Sequence, residues 1–88
     1  MHDFTFSHEA WEQYLYWQSQ NKKTLKRIND LLEVIRRNGL MKGKGKPEPL
    51  KYRSGYSRRI DEENRLVSDP NENQDIVIKS CKGHYDEK

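Results

Sequence analysis

The spacing of apolar residues changes once along the chain, from the period of helices in the first half to the alternation of strands in the second. Phe4 and Phe6 alternate with polar neighbours, which predicts a short first strand. Ser7 is a favourable N-cap for a following helix of about three turns. The apolar face of this helix is predicted to carry Trp11, Tyr14, Leu15 and Gln18, widened by Tyr16 and Trp17. We expect this face to be core rather than a cofactor pocket, because no polar group converges on it.

A second amphipathic helix is predicted to begin after Asn21, a suitable N-cap, and to end before Gly39. Its apolar stripe consists of Leu25, Ile28, Leu31, Leu32 and Ile35. Arg36 and Arg37 lie where the C-terminal end of the helix dipole favours cations. The short break at residues 19–21 makes the two helices a hairpin.

The second half of the chain has the alternation of β-strands. Leu50 and Tyr52 alternate before a turn at residues 54–55, and further strands are predicted at residues 56–60, 65–67 and 76–81. Pro70 should end the strand that contains residues 65–67, and the β-branched last strand should lie inside the sheet. We predict one α+β domain over residues 1–88, with both helices on one face of a small, mostly antiparallel sheet.

Composition adds a basic field to this picture. The 88 residues carry a formal net charge of +3, with the excess of cations between residues 42 and 65, which suits a phosphate-bearing partner. A chain of this length can bury only a thin core. Cys81 is the only cysteine, so no intrachain disulfide can form. No signal peptide or membrane span is evident, and we expect a soluble, cytoplasmic protein.

The most unusual segment is KGKGKPEPLK at residues 42–51, in which a single carboxylate lies among lysines. Pro47 and Pro49 restrict the backbone, so Glu48 should be held in an extended segment. Such a segment can serve a functional site. Gly, Lys and Pro are also typical of solvated connectors, and the composition alone favours that simpler interpretation.

Alternation along the strands suggests which side chains could act together. If Ile60 and Leu66 point toward the helices, Arg59 and Arg65 share the opposite, open face. A carboxylate, arginines and a histidine are the residue types of metal-free phosphodiester cleavage, with His84 as the available imidazole. The sequence offers no zinc-ligand cluster or P-loop, so no metal or cofactor is expected. A lone terminal histidine is more often an incidental surface residue, and strand arginines are often paired with nearby acids.

The sequence resembles the YoeB toxins of the RelE/ParE superfamily, and the resemblance covers nearly the whole chain. It rests on the segments YLYW at residues 14–17, KRIN at 26–29, GKGKPEPLK at 43–51, SRRI at 57–60, RLV at 65–67 and the terminal HY at 84–85. The resemblance implies a RelE-like microbial ribonuclease fold. It also implies a toxin that cuts mRNA in the ribosomal A site, forms homodimers and is silenced by a YefM-type antitoxin.

Site residues follow from the same resemblance. It implies that Glu48 is the general base, that Arg65 stabilises the transition state and that His84 is the general acid. The residues implied to bind substrate are Lys44, Lys46, Lys51, Arg59 and Tyr85.

The sequence departs from the family pattern near the fourth strand. Asn64 stands where His is common, and Ser68 stands where an aromatic is common. The loop after Lys51 is shorter than in many relatives, and residues 86–88 extend beyond the usual end. We therefore expect the fourth strand to be short or bulged. Two rival functions stay open: a toxin-like module that binds without cleaving, and a DNA-directed gyrase poison.

Overall fold

The computed structural model describes residues 3–71 and 75–83 as two helices packed against a five-stranded sheet. The elements are β1 (Phe4–Phe6), α1 (His8–Gln20), α2 (Lys22–Asn38), β2 (Glu48–Pro49), β3 (Tyr56–Arg59), β4 (Arg65–Pro70) and β5 (Ile76–Ser80). The strand order is β1-β5-β4-β3-β2. β1 and β5 run parallel, and the other neighbouring strands are antiparallel. The predicted α+β class and mostly antiparallel sheet are confirmed.

Local signals set the ends of both helices where the sequence predicts them. The Ser7 side chain accepts a hydrogen bond from the Ala10 N–H at 3.1 Å, and Asn21 accepts one from the Thr24 N–H at 3.1 Å. Gly39 has φ 83° and ends α2, with its N–H donating to the Ile35 carbonyl at 2.8 Å. Side-chain caps replace backbone partners that a helix terminus lacks, so these boundaries need no tertiary contact.

The core lies between α2 and the inner face of the sheet. The predicted stripe of α2 is confirmed, with Ile28, Leu31, Leu32 and Ile35 buried and Leu25 partly buried. Its partners from the sheet side include Ile60, Leu66, Ile76 and Ile78. Ile60 and Leu66 therefore point toward the helices as the alternation predicts.

The predicted inner face of α1 is confirmed at Trp17 and, in part, at Tyr14, and is wrong at its other positions. Ala10 and Trp17 are buried, whereas Trp11, Leu15 and Tyr16 are 47%, 40% and 45% exposed. The small Ala10 permits close approach, and the Trp17 indole N–H donates to the Cys81 carbonyl at 2.9 Å. This polar anchor on the last strand fixes the rotation of α1, and a hydrophobic pattern does not report it.

Strand boundaries differ from the sequence predictions in detail. The first strand after the helices is Glu48–Pro49 rather than a segment around Leu50 and Tyr52. β3 and β5 each end one residue earlier than predicted. β4 continues to Pro70, which pairs with Ile76 on β5, whereas the pairing of β4 with β3 ends at Ser68. Proline is tolerated where a strand has a neighbour on one side only. β4 is thus not short, but its pairing with β5 shifts register between Val67 and Ser68, which confirms the predicted bulge.

Neither helix in the described ranges is long and apolar enough to cross a membrane.

Candidate functional site

The open face of the sheet brings Glu48, Arg59 and Arg65 together. Glu48 lies directly opposite Ser57 on β3, and Arg59 lies directly opposite Arg65 on β4. Opposed residues in an antiparallel pair project to the same face, and Ser57 and Arg59 are two residues apart on one strand. With strands about 4.8 Å apart and a rise of about 3.3 Å per residue, the Glu48 and Arg65 Cα atoms are separated by roughly 12 Å. The side chains of Glu48 and Arg65 can therefore contact the same bound group from opposite sides.

Arg59 and Arg65 form a like-charged cross-strand pair. Directly opposed like charges destabilise a sheet. Arg59 is exposed and Arg65 is half-buried, and their pairing places both residues on the same face of the sheet. An anion bound between them would relieve the repulsion, which makes this position a natural phosphate site.

The turn between β3 and β4 holds Arg65 in place. Its Nη1 donates to the carbonyl oxygens of Asp61 at 2.5 Å and Asn64 at 3.0 Å. The Asp61 carboxylate accepts hydrogen bonds from the N–H groups of Glu63 and Asn64, each at 2.8 Å. Partial burial raises the pKa of Asp61, but hydrogen bonds from Asn64 and Glu63 and the charge of Arg65 outweigh it and lower the pKa. The turn is therefore a rigid base for Arg65 across the neutral pH range.

The end of β5 is attached to the same turn. The Gly83 N–H donates to the Asn64 side-chain oxygen at 2.8 Å, and the Arg65 N–H donates to the Gly83 carbonyl at 3.1 Å. Gly83 is covalently followed by His84 and Tyr85, which lie outside the described residues. Their predicted roles stay predictions, but the chain is fixed beside Arg65 one residue before the histidine.

An open cleft of about 630 Å³ lies between the sheet and the start of α1, and Glu48, Arg59 and Arg65 are not among the residues that line it. Its walls are β4 and β5, the loop after β2 and the first residues of α1. The residues that line it are Ser7, His8, Glu9, Leu50, Arg53, Ser54, Val67, Asp69, Lys79 and Ser80. Sequence reasoning missed Arg53 and Lys79. Because Lys79 alternates with the buried Ile76 and Ile78, the sequence could have placed it on the open face of the sheet. The position of Arg53 depends on how its loop folds, which the sequence pattern does not show.

The lysine loop lies mainly against α2 rather than along this cleft. A Cβ placed on Gly43 would lie 2.2 Å from Val34 Cγ1, and one on Gly45 would lie 3.0 Å from Leu31 Cδ2. The backbone of the loop thus lies close to the helix at Gly43 and Gly45, although most of its side chains are exposed to solvent. Lys44 and Lys46 are exposed, but neither lines the cleft. Their predicted contact with substrate stays a prediction.

Lys51 is exposed and follows Leu50, which lines the cleft. Its place beside the β2 segment keeps it near Glu48 in the chain. Its predicted role with substrate is compatible with this location and stays a prediction.

The one cysteine has no features of a nucleophile. Cys81 is fully buried, its thiol lies 3.7 Å from the Ala10 carbonyl, and burial raises its pKa to about 12. Thiolate chemistry needs a lowered pKa and access to the reactant. Across residues 3–71 and 75–83, no group of three His, Cys, Asp or Glu side chains is arranged to hold a metal ion.

Comparison with known proteins identifies the family. The family described as the YoeB-like toxin of bacterial type II toxin-antitoxin systems matches residues 6–85. Toxin YoeB of Escherichia coli K12 is 48% identical over 82 residues, which cover 91% of this chain and 95% of that protein. The YoeB dimer from Staphylococcus aureus superimposes with a TM-score of 0.85 at 49% identity, covering 96% of this chain and 98% of that one. YoeB in the heterotetrameric YoeB-YefM complex from the same organism gives a TM-score of 0.84 at 49% identity, covering 97% and 99%. On this sequence and structural similarity, the chain belongs to the YoeB-like toxins of bacterial type II toxin-antitoxin systems.

Proposed function

We propose that this toxin inhibits translation by cutting mRNA in the ribosomal A site, without a metal or cofactor. The observation that carries the proposal is the arrangement of the open face. There, Glu48 and the opposed pair Arg59 and Arg65 share one face, and the Arg65 N–H is hydrogen-bonded to Gly83, the residue before His84 in the sequence. A surface that only binds RNA electrostatically gains nothing from Glu48, because a carboxylate repels phosphate.

Each residue has a defined part in the proposed reaction. Glu48 removes the proton from a ribose 2′-hydroxyl, and the 2′-oxygen then attacks the neighbouring phosphorus. Arg59 and Arg65 stabilise the negative charge that builds on the non-bridging oxygens. The P–O5′ bond breaks as His84, in its imidazolium form, protonates the departing 5′-oxygen. The products are a 2′,3′-cyclic phosphate and a 5′-hydroxyl end.

The remaining predicted residues would hold the substrate around this centre. Lys51 and Tyr85 would place the substrate or the leaving group. Lys44 and Lys46 would contact phosphates farther along the strand. Arg53 and Lys79, which line the cleft, supply two more cations for the same RNA strand.

The proposed partners are a YefM-type antitoxin and a second copy of this chain. Two observations on relatives support them: a YoeB from Staphylococcus aureus is a dimer, and YoeB from that organism forms a heterotetramer with YefM. The RNA target places the proposed site of action in the cytoplasm, where ribosomes are.

The test is a cell-free translation reaction in which message ends are mapped by primer extension. Wild type should produce discrete new ends near the start codon. Glu48→Gln and His84→Ala should each lower cleavage by about 10²–10⁴-fold, the usual contribution of a general base or acid. Glu63→Gln, an exposed acid in the β3–β4 turn, is the matched control and should cleave normally.

Two results would contradict the proposal in different ways. Full cleavage by both Glu48→Gln and His84→Ala would refute the assigned acid and base. Arrest of translation without new ends would instead identify a toxin that blocks the ribosome by binding, which is the main rival function. Translation that continues unimpaired would contradict both.

A further inference from the structure

Asn64 forms a bridge between the β3–β4 turn and the end of β5. Its Nδ2 donates to both carboxylate oxygens of Asp61, at 3.0 and 3.1 Å, and its Oδ1 accepts from the Gly83 N–H at 2.8 Å. A carboxylate can only accept and a backbone N–H can only donate. A side-chain amide satisfies both, because it carries a donor and an acceptor on one rigid plane.

The Gly83 peptide is held from both sides by consecutive residues. Asn64 binds its N–H, and the N–H of Arg65 binds its carbonyl at 3.1 Å. Packing contributes little here, because Gly83 is exposed and a Cβ on it would meet nothing within 4 Å. Hydrogen bonds to Asn64 and Arg65 therefore fix the position of Gly83 relative to the β3–β4 turn.

This attachment has a consequence for the next residue in the chain. Consecutive Cα atoms are about 3.8 Å apart across a trans peptide, so fixing Gly83 fixes the point from which residue 84 starts. We propose that Asn64 is a positioning residue for cleavage: it holds Gly83, the residue that precedes His84 in the sequence, beside Arg65. This inference rests on the proposed function, in which His84 is the acid and Arg65 binds the phosphate.

The bridge explains why the identity of residue 64 matters. Alanine would remove all three side-chain hydrogen bonds and leave Gly83 held by Arg65 alone. Aspartate has the shape of asparagine but lacks the donor and would place a second carboxylate against Asp61. Both changes should loosen Gly83 while the sheet pairing of β3 with β4 persists.

The activity test is a double-mutant cycle of Asn64→Ala and His84→Ala in single-turnover cleavage on the ribosome. Asn64→Ala should lower the maximal single-turnover rate by about tenfold or more, with little change in the concentration that gives half of that rate, since it disturbs alignment rather than binding. In the His84→Ala background, Asn64→Ala should cause no further loss, because its effect acts through the histidine. An equal loss in both backgrounds, or none in either, would overturn the inference.

The same cycle separates failure of this inference from failure of the proposed function. If His84→Ala alone cleaves like wild type, the acid assignment is wrong and the positioning role falls with it. If His84→Ala is impaired but the Asn64→Ala effect is independent of it, the proposed function stands and only the inference is refuted.

A measurement that does not depend on activity tests the bridge itself. Amide hydrogen exchange at Gly83, followed by NMR, should be about tenfold faster in Asn64→Ala than in wild type. Glu63→Ala is the matched control, because it removes a neighbouring side chain of the same turn and leaves the backbone hydrogen bond to Asp61. Unchanged exchange at Gly83 in Asn64→Ala would contradict the proposed bridge.

Discussion

The guanidinium Nη2 of Arg58 lies 2.6 Å from the carbonyl oxygen of Lys42 and so ties the lysine loop to β3. The same nitrogen donates to the Gly39 carbonyl at 3.0 Å, and Nη1 donates to the Lys44 carbonyl at 2.7 Å. Arg58 is 1% exposed, and burial lowers its pKa, although a guanidinium keeps its charge in proteins. The adjacent Arg59 lies on the open face of the sheet. Arg58 therefore stabilises the lysine loop, whereas Arg59 is available to bind phosphate.

This separation predicts opposite phenotypes for neighbouring substitutions. Arg58→Ala should reduce the free energy of unfolding by about 2–4 kcal/mol, because three carbonyls lose a donor worth about 1 kcal/mol each. Arg59→Ala should change it by no more than about 0.5 kcal/mol, as is usual for exposed residues, while lowering RNA cleavage. Urea unfolding and the primer-extension assay together distinguish the two. An Arg58→Ala protein as stable as wild type would show that the loop does not depend on the three hydrogen bonds donated by Arg58.

Gly43 should resist substitution for steric as well as backbone reasons. Its φ is 98°, and an added Cβ would lie 2.2 Å from Val34 Cγ1. The positive φ alone should cost Gly43→Ala about 1–2 kcal/mol, and the clash adds to this. Gly83 also has a positive φ, 86°, but nothing within 4 Å of an added Cβ, so Gly83→Ala isolates the backbone component.

The role of Val34 can be examined directly by thermal unfolding. Combining Val34→Ala with Gly43→Ala should cost less than the sum of the single changes, because the shorter side chain removes the clash. Strict additivity would show that backbone strain, rather than contact with α2, limits residue 43.

Cys81 should be unreactive in the folded protein. Because burial raises its pKa to about 12, the thiol stays protonated at pH 8, and iodoacetamide should modify it only on unfolding. The unfolded thiol ionises at lower pH than the folded one. The contribution of the buried, protonated thiol to the free energy of unfolding is therefore complete at neutral pH. It declines as the pH rises from the pKa of the unfolded thiol toward the folded pKa of about 12. Rapid alkylation of the native protein would contradict the burial.

Binding to RNA should weaken as salt rises, because protein cations that bind phosphates release counterions. Lys44→Ala combined with Lys46→Ala should reduce the steepness of log K against log salt by about 1.4, since each lysine that neutralises a single-strand phosphate contributes about 0.7. Lys22→Ala with Lys23→Ala, at the start of α2, is the matched control and should leave the slope unchanged. An unchanged slope in the loop variant would mean that these lysines do not bind phosphate.

The reliable sequence predictions depend on interactions close in the chain. The side-chain oxygen of Asn21 sets the start of α2, and the positive φ of Gly39 sets its end. Both effects act within a few residues of the chain. Its buried stripe follows from the helical period alone. The positions of Arg59 and Arg65 on the open face follow from strand alternation, since Ile60 and Leu66 fix the opposite face.

Long-range partners decided what such patterns cannot encode. Trp11 is exposed because the Trp17 indole bonds to Cys81, a residue far along the chain. Arg58 shares the inner face with Ile60 by alternation, but its burial requires carbonyls from a loop that is itself held against α2. The family resemblance implied roles for individual residues, yet it did not imply that Asn64 would bind Gly83.

The sequence by itself determined the helices, the approximate strands, the basic field and the residue types available for phosphate chemistry. These properties depend on capping, side-chain periodicity and charge, which act locally or sum over the chain. Only the tertiary structure decided the register that opposes Arg59 to Arg65 and the attachment of Gly83 beside them. A register is chosen by the combined packing of all strands and both helices, so no single segment contains the information that sets it.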